Sequence, residues 1–341
     1  MKFKQLPTRL LIAITPLLTL ALAGCGGDDD GGNATTCLRL VGELPDLTAY
    51  DAKPFGDACL VASGSHLVLV DPTDGAPVVL DELALAGHCE RIAVEDSSAV
   101  AAAGSGGVFL VTLTPAGGLA QLGHIGGIAR AVDADQQGDL VAVADEDAGV
   151  WLVDVADPAQ PQVLSQIQIT GGMLDESYGA VELDGDRVYI RSCYSGLSVF
   201  DISNPTSPAL LSTTDISCVG DFVERDGWVY LEDDENGSYV VRALDLRNPA
   251  APARAGFVLT SPCSVDHLCV EGDRLFTTGD AWFVEGEQSR LFVIDITNSA
   301  APRRLATLDI PGQPMGLGAT GDRVHVACFL GGLGFYATTC E

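Results

Sequence analysis

Apolar residues in this chain fall into short strand-length runs, each closed by a turn rich in Asp, Asn and Pro, and helical spacing is absent. Val150–Val155 (VWLVDV) is followed by Ala156-Asp157-Pro158 and then Pro161. Leu197–Ile202 (LSVFDI) leads into Ser203-Asn204-Pro205 and Pro208, and Val241–Leu246 (VRALDL) into Arg247-Asn248-Pro249 and Pro252. Leu291–Ile296 (LFVIDI) precedes Thr297-Asn298-Ser299 and Pro302. His66–Asp71 with Pro72 and Pro77 is a weaker copy, and Val108–Leu113 and Leu333–Ala337 are degenerate ones. The aligned positions are Asp71, Thr112, Asp154, Asp201, Asp245, Asp295 and Ala337, separated by 41, 42, 47, 44, 50 and 42 residues. A period in the forties with strand composition predicts propeller blades.

One repeat, 127–170, shows the parts of a four-stranded blade. Ala129–Ala134 is the expected innermost strand, 135–139 a turn, and Leu140–Ala144 the second strand. Val150–Val155 is the third and Gln162–Ile169 the outer one. The third strand is almost continuously apolar, as a strand packed on both faces must be. Asp154 and its equivalents stand where a carboxylate accepts N–H groups of the following turn. The predicted fold is all-β: a seven-bladed β-propeller of four-stranded blades. Its blades span approximately 47–85, 86–126, 127–170, 171–216, 217–260, 261–310 and 311–341. The last repeat has material for only three strands, whereas Leu38–Leu44 is a spare strand ahead of blade 1. That N-terminal strand is expected to complete the last blade and close the ring, covering edges otherwise exposed.

The repeat resembles the LVIVD family of bacterial and archaeal cell-surface proteins, over roughly residues 47–337 and most clearly in the four good copies. The resemblance implies a β-propeller and a surface location, not a reaction.

Composition adds an address. Lys2, Lys4 and Arg9 precede the apolar run Leu10–Leu22, too short to span a bilayer, and the run ends in Leu22-Ala23-Gly24-Cys25. That tetrad resembles a bacterial lipobox. It implies a lipoprotein signal peptide at 1–24 and acylation, palmitate included, on Cys25. Residues 25–36 then form a flexible acidic tether, and 37–341 a single propeller domain. By resemblance to the lipoprotein sorting rules of enteric bacteria, Gly26 in place of Asp implies the outer membrane, on its periplasmic or surface side. Hydrophobic residues make up 47% of the 341, ample for a core and too many for disorder. Removing residues 1–24 deletes three cations and no acid, leaving 15 basic against 47 acidic residues. Such a chain has no electrostatic reason to bind nucleic acid. Its expected membrane contact is through the lipid alone, and it is expected to be a monomer.

Ten cysteines are present. Cys37 and Cys340 flank the two strands of the closure and are expected to form a disulfide, which an exported compartment permits. With Cys25 acylated, seven remain: Cys59, Cys89, Cys193, Cys218, Cys263, Cys269 and Cys328. Cys193 and Cys218 make a plausible second pair across neighbouring blades. Metal-ligand spacing is lacking, and no metal site is expected. Residues aligned at the starts of innermost strands, Arg91, Arg130, Glu176, Asp221, Asp266 and His267, are candidate ligand residues at a channel mouth, or else a self-satisfied ion-pair ring. Gly316–Gly321 fits G-x-G-x-x-G, but a hairpin follows where a dinucleotide site needs a helix. Asp133–Gly138 begins like a calcium loop, yet its twelfth position is Ala144 rather than Glu. Weak Ca²⁺ binding stays open at the hairpin tip 233–237. A G-x-S-x-G elbow is missing, the five His are scattered over several blades, and no catalytic set or cofactor is expected. The sequence reads as a non-catalytic binding or scaffold module for a protein or glycan. The alternative is a hydrolase- or lyase-type enzyme with a polar, cation-binding channel mouth.

Overall fold

The computed structural model describes residues 38–339 apart from 115, 169–178, 193–194, 217–220 and 281–287. Cys25, Cys37, Glu176, Cys193, Cys218 and Cys340, and with them the lipidation site and both expected disulfides, lie outside the described residues. The described residues fold into seven antiparallel sheets. Their innermost strands are Asp51–Phe55, Arg91–Glu95, Ala131–Gln137, Ala180–Asp184, Phe222–Arg225, His267–Glu271 and Gly316–Thr320. Each touches the next, and the last touches the first, so the blades form a closed ring.

Six sheets have four strands. In blade 1 one long strand, Ala58–Asp71, serves as both second and third: residues 58–62 pair with Asp51–Phe55, and residues 64–71 with Val78–Cys89. Gly64, at φ 63°, marks the change. Blade 7 is completed by the N-terminal strand Arg39–Leu44. It lies antiparallel to Leu333–Ala337, with Arg39 opposite Ala337 and Leu44 opposite Leu333, so the expected closure is present.

The core lies between blades. Third-strand residues Val150, Leu152 and Val153 are fully buried. Facing blades interlock in mixed clusters, such as Phe55, Leu60 and Leu69 of blade 1 with Ile92, Phe109 and Val111 of blade 2. Each such side chain contributes roughly 1.5–3 kcal/mol of burial. The repeated Asp acts as expected. Asp154 Oδ1 accepts the Ala156 N–H at 2.9 Å, Asp201 that of Ser203 at 2.8 Å, Asp245 that of Arg247 at 3.1 Å and Asp295 that of Thr297 at 2.9 Å. The third blade's innermost strand differs from expectation. It continues to Gln137, because Gly138, at φ 56°, turns the chain more tightly than a five-residue loop would.

Candidate functional site: the central channel

An innermost strand has no further strand on its inner side, so its edge amides need other acceptors. Carboxylates of the preceding blade supply them. Ile92 N donates to Asp51 Oδ2 (3.1 Å), Gly138 N to Glu95 Oε2 (2.7 Å), Val181 N to Asp133 Oδ2 (2.9 Å) and Leu183 N to Asp135 Oδ2 (2.7 Å). Glu224 N donates to Glu182 Oε2 (2.8 Å) and Gly321 N to Glu271 Oε1 (2.9 Å). These acids therefore stitch five of the seven joints, those between blades 1 and 2, 2 and 3, 3 and 4, 4 and 5, and 6 and 7.

The strands enclose a channel of about 700 Å³ lined by Asp51, Asp133, Asp135, Glu182, Asp221 and Glu271, with Lys53 and Arg91 as its cations. Lys53 is the sole lysine among the described residues; the others are Lys2 and Lys4. Its Nζ donates to the Leu317 carbonyl of blade 7 at 2.8 Å and lies 3.4 Å from Asp51 Oδ1.

Arg91 reaches from blade 2 across the axis. One guanidinium nitrogen contacts His267 Nδ1 of blade 6 and donates to the Met315 carbonyl beside blade 7, both at 3.0 Å. Since arginine only donates, Nδ1 is the acceptor and the ring proton sits on Nε2. Burial and the Arg91 charge hold His267 down at about 4. Burial opposes ionisation of Asp221, but the His267 ring and then Arg91 bring it to about 2. His267 Nδ1 lies 3.8 Å from Asp221 Oδ2, beyond hydrogen-bond length. With the imidazole neutral at pH 7, the attraction on Asp221 there comes from Arg91. This bolt spans the channel where the innermost strands begin. Beyond it, burial and then Asp221 push Asp133 up to about 7, and burial pushes Asp135 to about 6. Glu182 is raised well above the usual range by burial and then Asp135.

Of the residues singled out from sequence, Arg91, Asp221 and His267 come together. Asp266 is adjacent: its carbonyl accepts the Asp221 N–H at 3.1 Å, its carboxylate accepts the Ser264 hydroxyl at 2.7 Å, and burial raises it to about 6. Arg130 belongs to a separate pair with Glu146 at 3.0 Å. Asp51, Lys53, Asp135, Glu182 and Cys269 were missed as channel residues. The sequence candidates stand at strand starts, whereas every second residue of an innermost strand can reach the channel.

Gly318 is glycine because a Cβ there would lie 2.6 Å from the Ala52 carbonyl and 2.7 Å from Pro54. Asp133 and Asp135 are blade stitches. At the 233–237 tip, Arg242 engages Asp233 (2.8 Å) and Glu235, and Asp234 accepts the Gly237 N–H. Among the described residues no three His, Cys, Asp or Glu are grouped to hold a metal.

No curated protein matches the chain in sequence. Solved structures similar to it include the Cps50 (Swd1) β-propeller domain of Myceliophteria thermophila. That domain is 12% identical with a TM-score of 0.67, over 89% of this chain and all of that one. The WD40 β-propeller domain of Doa1 is 11% identical with a TM-score of 0.63, over 87% and 94%. The computationally designed Ika8 protein is 11% identical with a TM-score of 0.63, over 87% and 99%. At such identities the likeness is one of fold. The family model described as the LVIVD repeat matches residues 126–168 and 179–222, in blades 3 and 4. The chain thus carries LVIVD repeats, built into a seven-bladed β-propeller.

Proposed function

We propose that this propeller is a non-catalytic binding or scaffold module, held at the bacterial outer membrane by a lipid on Cys25 and presented to a protein or glycan partner. The observation that carries the reading is the Arg91 bolt: the polar groups gathered at the channel mouth satisfy one another, and the carboxylates further in are engaged in joining blades. The outer rim supports it as well. Val78, Val79 and Leu80 are exposed together on the outer strand of blade 1, which suits contact with a macromolecule better than solvent. The sequence features at 1–36 support the anchor, and a Cys37–Cys340 disulfide would staple the closing strands.

A second reading, a polar small-ligand site, draws on the chamber beyond Arg91 with its raised Asp133, Asp135 and Glu182. Native mass spectrometry of protein purified from its own membrane separates the two. The bare acylated chain is expected. A retained ion or small molecule that disappears in Asp133→Asn or Asp221→Ala overturns the scaffold reading.

A further inference from the structure

The contact between blade 7 and blade 1 differs from the other joints in what it buries. His325, on the second strand of blade 7, is fully buried, and neither ring nitrogen has a hydrogen-bond partner. It stands opposite Phe335, whose ring lies 5.1 Å away, and opposite Gly318. Phe335 shares its apolar cluster with Ala52, Cys59, Val61 and Val70 of blade 1, so this face of blade 7 is the one pressed onto blade 1. Polar contacts across the rest of the joint are Lys53 Nζ to the Leu317 carbonyl, Arg323 to Asp74 (2.8 Å) and to the Pro72 carbonyl, the Gly75 N–H to the Val41 carbonyl (2.6 Å), and the Ala49–Phe329 bridge.

We infer that this joint is an acid-released seam: a proton taken from solvent by His325 creates a buried, unpaired cation, and blade 7 parts from blade 1. The surroundings offer that cation little. On its own strand the charged neighbour is Arg323, of the same sign, already engaged by Asp74. Gly316–Thr320 contributes no titratable group. On Leu333–Ala337 the one such group is Tyr336, which belongs to the cluster on the opposite face. From blade 1, Asp51 is spent on the Ile92 amide and Lys53, while Lys53 is a further cation. The Cys59 thiol is held neutral by burial.

The imidazole is neutral in the closed ring, where burial and Arg323 lower it to about 4. Once the joint opens, it returns to its ordinary value near 6.5. The open form therefore binds the proton more tightly, and opening gains as pH falls from about 6.5 towards 4. Those two values correspond to roughly a 50-fold rise in the opening equilibrium between pH 7 and pH 4.5.

Cys59, buried in this joint, and Cys89, buried between blades 1 and 2, report on the two joints separately. The folded protein is exposed to 4,4′-dithiodipyridine, which reacts with thiols in acid, at pH 7, 5.5 and 4.5. Labelling is read by peptide mass spectrometry and normalised to N-acetylcysteine. Cys59 labelling is expected to rise about 50-fold from pH 7 to 4.5 while Cys89 stays protected, and the rise is expected to vanish in both His325→Phe and His325→Met. Labelling of Cys59 and Cys89 in step, a flat Cys59 profile, or an unchanged rise in whichever variant folds overturns the proposal.

Discussion

Replacing Arg91 by Met removes the one guanidinium that crosses the channel and leaves its surroundings in place. The stem packs much as before, but Asp221, Asp51 and Asp133, which act on Arg91 in that order, then face one another without it. Removing one partner from a buried charge arrangement costs about 3–5 kcal/mol. The loss is pH-dependent because of Asp133. With a value of about 7 it is largely ionised at pH 8 and protonated at pH 5, so the repulsion at pH 5 lacks one charge. At roughly 1.4 kcal/mol per pKa unit, the destabilisation at pH 5 is expected to be at least about 1 kcal/mol smaller than at pH 8. Equilibrium urea unfolding of wild type and Arg91→Met at both pH values, followed by tryptophan fluorescence, measures this. A variant as stable as wild type at pH 8, or one with the same loss at both pH values, refutes the account of the bolt.

Other outcomes follow from the same structure. Gly318→Ala, whose new methyl would press on the Ala52 carbonyl and Pro54, is expected to lose about 1–3 kcal/mol as an overpacked contact, measured by urea unfolding. Glu232, whose Oε2 accepts the Val265 N–H at 2.6 Å, is raised by burial to about 8. A carboxyl bound more tightly to its proton when folded stabilises below its unfolded value near 4.5 and loses that contribution as pH rises to about 8. Glu232→Gln is therefore expected to flatten the fall in melting temperature between pH 5 and 8. Asp201→Ala removes the acceptor of the Ser203 amide and is expected to cost about 1 kcal/mol, checked by the shift in urea midpoint. Non-reducing peptide mapping is expected to recover Cys37 joined to Cys340; closing a loop of about 300 residues contributes about 6 kcal/mol by the chain-entropy model.

The blade count and the closure were legible because both rest on local arithmetic. Val150–Val155 and its copies announce a strand buried on two faces, the Asp and Pro that follow announce a turn, and Leu38–Leu44 was a strand with no blade of its own. The channel was legible only in part. Arg91, Asp221 and His267 aligned at strand starts, but a side chain that spans the axis, as Arg91 does, depends on the diameter of the ring. Arg130 held an equivalent place in the alignment and instead found Glu146 in its own blade, a choice set by a neighbour across a hairpin. Asp133 and Asp135 looked like the opening of a calcium loop because stitching blades and binding a cation draw on the same carboxylates at the same spacing. His325 carried no pattern at all. Its isolation comes from the faces of blades 7 and 1 meeting, which lie at opposite ends of the chain, and no window of sequence contains both.

The position of Arg39–Leu44 also decides how the molecule bears load. This strand is the outermost of its blade, so whatever precedes Leu38 meets the disc at its perimeter. Any tension along that segment enters the fold through the hydrogen bonds between Arg39–Leu44 and Leu333–Ala337, the same rungs that complete the circle. A pull on the chain ahead of Leu38 is therefore resisted at the ring's own clasp, and mechanical strength and circular integrity become one property.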